Sequence, residues 1–159
     1  MKILSGFLLM ICCFSGFAQD KKAQALTLII SKQESDWNKN DINAYVNSFS
    51  DDAVLINFLG SFWKGKAEIM KQFQMINECC IKPTQVRLDV LDTRFLNDVS
   101  AIIHIKETLT AKEDYLVPGG VIKKGNINYK FITAVFVKEK PAWKVLSMQV
   151  TQVVPLPPR

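Results

Sequence analysis

The sequence predicts an α+β fold in which three N-terminal helices lie against a strongly curved, mostly antiparallel sheet. Two changes of period carry that reading. Apolar residues recur at helical spacing through the first half of the chain, and from Thr84 the period becomes two. The predicted order is helix, helix, two short strands, helix, then four long strands. A curved sheet wrapped around a long first helix forms a cone, and the mouth of a cone is a pocket.

The chain opens on a targeting pattern. Lys2 gives a short positive start, and Ile3 to Phe17 is apolar apart from Ser5, Gly6, Ser15 and Gly16. Gly16 and Ala18 are the small residues a signal peptidase reads before a cut at Gln19, so residues 1–18 read as a secretory signal peptide. The run is shorter than the roughly 20 residues that span a bilayer, and no later stretch approaches that length. A lipoprotein cut at Cys12 or Cys13, or an uncleaved anchor, is the alternative; Ile11 and Cys12 are not the small residues a lipoprotein cut prefers. One domain over residues 19–154 and a Pro-rich tail over 155–159 follow, with a periplasmic or secreted location.

Lys22 to Asn40 reads as the first helix, with Leu26, Ile29, Ile30, Gln33 and Trp37 on one stripe. Asp41 caps a second helix, Ile42 to Phe49, whose inward set is Ile42, Tyr45, Val46 and Phe49. Ser50-Asp51-Asp52 reads as a turn. Ala53 to Phe58 and Ser61 to Lys64 are short strands, and Gly65 opens a third helix to Asn77. Val86, Leu88 and Val90 then alternate with Gln85, Arg87 and Asp89, and the slip at Val90-Leu91 predicts a β-bulge. Leu96-Asn97-Asp98 turns a hairpin into a strand with Val99, Ala101, Ile103 and Ile105 on one face. Ala111 to Gly125 reads as a polar loop, and Asn126 to Lys138 and Ala142 to Val154 as the last strands. Pro155, Pro157 and Pro158 keep the tail out of a sheet centre.

Composition removes several function classes. The net charge is +5, but the lysines are dispersed rather than gathered in a basic stripe, so nucleic acid is not an expected partner. Cleavage leaves Cys79 and Cys80, whose adjacency disfavours a bridge between them; no disulfide framework results, and a bridge between two subunits stays open. One histidine and two adjacent cysteines give no spaced metal-ligand set. No Gly-rich phosphate loop occurs, so no cofactor is expected.

Several separated segments then resemble the nuclear transport factor 2-like superfamily, and within it the SnoaL-like and SgcJ/EcaC-like proteins. They are Trp37 to Ile42, Phe49 to Val54, Gly60, Gly65-Lys66, Phe136-Val137-Lys138, Trp143-Lys144-Val145 and Gln149-Val150-Thr151. The resemblance spans residues 22–154 and implies a nuclear transport factor 2-like cone. That fold serves isomerases, cyclases, dehydratases and plain binding modules. Where steroid isomerases of the superfamily carry a carboxylate base, this chain has Asn57, an amide that cannot take a proton near neutral pH. Where they carry an oxyanion-binding tyrosine it has Gln33, and Gln149 stands where relatives often carry a histidine.

The reading is therefore an exported module that binds an unidentified, neutral or weakly polar small molecule in an apolar pocket, with no recognisable catalytic set. Asn57, if inward, needs a protein or ligand partner; Gln149 and Gln33 offer further amides. Trp37, Trp63 and Tyr129 read as core aromatics first and as pocket walls second, with Trp63 nearest the mouth. An enzyme would need a further acid or base, with His104, Glu107 or Asp36 as candidates. A third reading is a homodimer through the outer sheet face, with Ile102, His104 and Thr108 in the interface.

Overall fold

The computed structural model describes residues 12–117 and 119–154. Residues 1–11, which fall within the expected signal peptide, and residues 155–159, the expected Pro-rich tail, lie outside these, as does Pro118. Helix α1 spans Cys12–Asn38 and α2 spans Ile42–Val46; β1 is Phe49–Ile56, β2 is Phe62–Lys64 and α3 is Lys66–Met75. A π-helical turn, Asn77–Ile81, leads into β3 (Thr84–Asn97) and β4 (Ser100–Ala111). A small hairpin, β5 (Tyr115–Val117) and β6 (Gly120–Ile122), precedes β7 (Ile127–Glu139) and β8 (Ala142–Gln152). The fold is the expected α+β arrangement of helices against a curved sheet.

The six long-sheet strands run in the order β2-β1-β8-β7-β4-β3, and β5 and β6 pair separately. All neighbours are antiparallel except β1 and β8. The slip at Val90-Leu91 is a bulge: Val90 pairs with Ile105, Asp92 pairs with His104, and Leu91 is the extra, exposed residue. A second irregularity lies where Val135 pairs with Ser147 and Phe136 with Val145, leaving Leu146 over. Extra residues on one strand add bend and twist, which curls the sheet around α1.

The inner face of the sheet packs on α1, α2 and α3. Ala101, Ile103 and Ile105 from β4, with Ile132, Ala134 and Phe136 from β7, meet Leu26 and Ile30 of α1, all nearly inaccessible. Asp41 caps α2 as read, its Oδ1 accepting from Ala44 N–H at 2.9 Å. Gly65 stands at the head of α3 with φ +85°, a backbone conformation that suits glycine.

Several boundaries differ from the sequence reading. Helix α2 ends at Val46, and Phe49 opens β1 because its backbone pairs with Val145 of β8. Helix α1 begins at Cys12, earlier than the apolar stripe shows. Ser50, Asp51 and Asp52 lie within β1 rather than in a turn; the carboxylates point to solvent where the pairing to β8 slips between Phe49 and Val54. Val99 sits in the tight turn between paired Asn97 and Ser100, so it is exposed and off the face of Ala101. The polar loop contains the β5–β6 hairpin, whose three-residue strands are too short to show a period.

Candidate functional site

The cone encloses a cavity of about 340 Å³. Its size is that of a small organic ligand's site. One wall is aromatic. Phe73 on α3 has its ring centroid 5.2 Å from Tyr45, 5.8 Å from Trp63 and 6.2 Å from Trp37, and all four rings line the cavity. The opposite wall is the sheet, through Leu55, Leu109, Ile132, Met148 and Val150. The lining is completed by Phe58 and Leu59, by Ile76, Cys80 and Ile81 around the π-helical turn, and by Tyr115, Val117 and Ile122 of the hairpin.

A charged pair is set into this apolar wall. Glu107 on β4 and Lys130 on β7 are paired in register across the two strands. Lys130 Nζ donates to Glu107 Oε1 at 2.5 Å, and both side chains are about nine-tenths shielded from solvent. Nζ also lies 5.3 Å from the centroid of the Phe58 ring. Beyond them, Gln152 Nε2 donates to Asn128 Oδ1 at 2.7 Å, and both amides reach the cavity. The Tyr45 phenol is pushed far above its ordinary range, first by burial and then by the charge of Glu107, so it stays a neutral hydrogen-bond donor.

Trp37, Asn57 and Trp63 stand in the cavity wall. Asn57 does so from the turn after β1, not from the strand. Its Oδ1 accepts from Leu59 N–H and Ser61 N–H, each at 2.9 Å, so its acceptor shapes the rim.

Gln33, Tyr129 and Gln149 stand outside the cavity lining. Gln33 is sealed between α1 and α2, where its Nε2 donates to Ser48 Oγ at 2.7 Å. Tyr129 lies on the outer face of β7 beneath the Lys106 ammonium, because the inward positions of that strand are Asn128, Lys130 and Ile132. Gln149 is turned outward because the extra residue Leu146 reverses the phase of β8; Met148, Val150 and Gln152 face in instead.

Among the three candidate acids or bases, Glu107 alone reaches the cavity. His104 is on the outer face, its Nδ1 3.5 Å from the Asp92 carboxylate. Asp36 is bound to Lys32 at 2.6 Å on α1. Lys130 escaped the sequence reading although a signal existed: it falls in phase with Ile132, Ala134 and Phe136, as Glu107 does with Ile103 and Ile105.

Cys79 and Cys80 are free thiols in the π-helical turn, their Sγ atoms 2.6 Å apart. Burial, and then the hydrogen bond with Cys79, push the Cys80 thiol up to about 12. No helix among the described residues is long and apolar enough to cross a membrane.

A family model described as a SnoaL-like domain matches residues 35–155. No functionally curated protein matches the chain in sequence. Among solved structures, it is similar to a protein with a cystatin-like fold from Caulobacter vibrioides, at 19% identity over 84% of this chain and 90% of that one, with a TM-score of 0.72. An NTF-2 like protein from Shewanella oneidensis matches at 14% identity over 82% and 99%, TM-score 0.67. A ketosteroid isomerase-like protein from Erwinia carotovora atroseptica matches at 15% identity over 83% and 96%, TM-score 0.65. At these identities the likeness is one of fold.

Proposed function

The chain belongs to the SnoaL-like domain family, and from that premise we propose that it is an exported module holding a small, flat, weakly polar molecule in its cavity. The observation that carries this is the 340 Å³ space with an aromatic wall on one side and the Glu107–Lys130 pair on the other. Trp37, Trp63 and Phe73 supply faces for a ring, and the Tyr45 phenol, the Asn57 amide and the charged pair supply hydrogen bonds that orient it. A titration with naphthol, followed by tryptophan emission, tests the reading. A saturable change that shrinks in Trp63→Phe supports it; a response that never saturates sinks it.

One observation favours a second reading. A carboxylate and a neutral phenol share one apolar cavity, which is the equipment of a proton-transfer enzyme of the isomerase, cyclase or dehydratase kind. Glu107 would move the proton and Tyr45 would donate to the developing oxyanion. Once a substrate turns over, undiminished kcat in Glu107→Gln removes this reading.

Two further parts of the proposal rest on other features. Residues 1–18 act as a cleaved leader, supported by Lys2, the apolar run and the small residues Gly16 and Ala18. Amino-terminal sequencing of the exported protein then starts at Gln19; a start at Met1 counts against export by cleavage. Two copies associate through the outer sheet face, supported by exposed Ile127, Tyr129 and Phe131 on β7, with Thr108 of β4 paired across from Tyr129. Light scattering is expected to give a dimer for the native chain and a monomer for Phe131→Asp.

A further inference from the structure

Alternation along β4 and β7 sends Glu107 and Lys130 into the cavity together, directly opposite one another. Such a pair is a weak contributor to stability, since well-packed apolar residues of similar volume serve a wall as well. The geometry supplies something apolar residues do not. Lys130 Nζ lines an apolar cavity where a bound carbonyl carbon can reach it, and the carboxylate 2.5 Å away is placed to carry protons to and from that nitrogen.

We propose that Lys130 forms a Schiff base with an aldehyde or ketone held in the cavity, with Glu107 carrying the protons. This rests on the reading of the cavity as a small-molecule site. The proton of the ammonium passes to Glu107, leaving a lone pair on Nζ. That pair forms the C–N bond, the carbonyl π electrons move to oxygen, and Glu107 returns its proton there. Glu107 next takes a proton from the nitrogen and gives it to the hydroxyl. The C–O bond breaks, water leaves, and the nitrogen lone pair completes the C=N bond. The sum is ammonium plus carbonyl giving iminium plus water. No oxidant or reductant enters, and the iminium charge stays paired with the Glu107 carboxylate.

Benzaldehyde is a suitable probe because its ring matches the aromatic wall. The protein is incubated with benzaldehyde and sodium cyanoborohydride near neutral pH, digested, and mapped by mass spectrometry. The expected benzyl adduct lies on Lys130, at least about tenfold over any surface lysine, because binding raises the local concentration of aldehyde. Glu107→Gln is expected to slow labelling of Lys130 about 100-fold, the usual contribution of a positioned acid–base group. Uniform labelling of surface lysines with Lys130 unmodified overturns the proposal, and so does unchanged labelling in folded Glu107→Gln for the role of Glu107. Benzyl alcohol separates the two levels of inference. If native mass spectrometry retains it while benzaldehyde leaves Lys130 unlabelled, the Schiff base falls and the cavity reading stands. If neither molecule is held, both fall.

Discussion

Asn38 and Val86 exchange two hydrogen bonds, Asn38 Nδ2 donating to the Val86 carbonyl at 2.8 Å and Val86 N–H donating to Asn38 Oδ1 at 2.8 Å. The last residue of α1 thereby acts as a short partner for β3, the edge of the sheet. Glu34 extends the seam by accepting from Leu88 N–H at 2.7 Å, and Trp37 Nε1 donates to Thr84 Oγ1 at 3.2 Å. An uncovered edge presents unpaired backbone groups that invite another strand. Here side chains of one helix face satisfy the edge groups of Val86 and the N–H of Leu88, which fastens α1 to the start of β3.

Replacing Asn38 removes both bonds at once. Asn38→Ala is expected to destabilise the protein by about 1–3 kcal/mol, the cost of leaving a part-buried donor and acceptor unpaired. Urea denaturation measures it. Aggregation of the variant at high concentration is expected too, because the edge groups of Val86 are then unpaired.

The charged pair in the cavity makes a sharper case. Lys130→Met leaves the Glu107 carboxylate in an apolar wall without a partner, at an expected cost of about 3–5 kcal/mol. The double substitution Glu107→Leu with Lys130→Met removes both charges and is expected to recover most of that stability. A double-mutant cycle by denaturant midpoint decides the point. Additive losses would mean that the two groups are not coupled as their 2.5 Å contact requires.

The thiols respond to pH in a defined direction. Burial and the bond to Cys79 hold Cys80 at about 12, above the ordinary thiol value. A raised pKa keeps the thiol protonated below that value, and only the thiolate attacks alkylating reagents. Iodoacetamide at about pH 8 is therefore expected to spare Cys80 in the native protein and to label it quickly in urea. The native rate is expected to climb as pH rises toward 12. Equal labelling in both states at the lower pH would contradict the environment described for Cys80.

Much of the fold was legible because it depends on local chemistry. The Asp41 cap, the bulge at Val90-Leu91 and the inward set Ala101, Ile103 and Ile105 all follow from residue type and period. The site was less legible, because composition and phase disagree there. Tyr129 and Phe131 are aromatic but fall out of phase with Ile132 and Ala134, so they face outward. Lys130 is charged but in phase, and it is buried because Glu107 arrives opposite it. No single strand reveals that pairing; it needs the register of β4 against β7. Gln149 and Gln152 exchange roles through the extra residue Leu146, which shifts every later side chain by one face. Tyr45 reaches the cavity from α2, where helical spacing marks it as core, and a core aromatic and a cavity aromatic carry the same sequence signal.

Native mass spectrometry of the protein purified gently from an exporting host, beside the variant Leu109→Trp, bears most directly on the cavity. Leu109 lines the space and is nearly buried, so an indole there fills much of the 340 Å³. The expected result is one small molecule retained per chain in the native protein and none in the folded variant. An identical mass shift in both, or an empty native chain that also fails to take up naphthol, would contradict a small-molecule site in the cone.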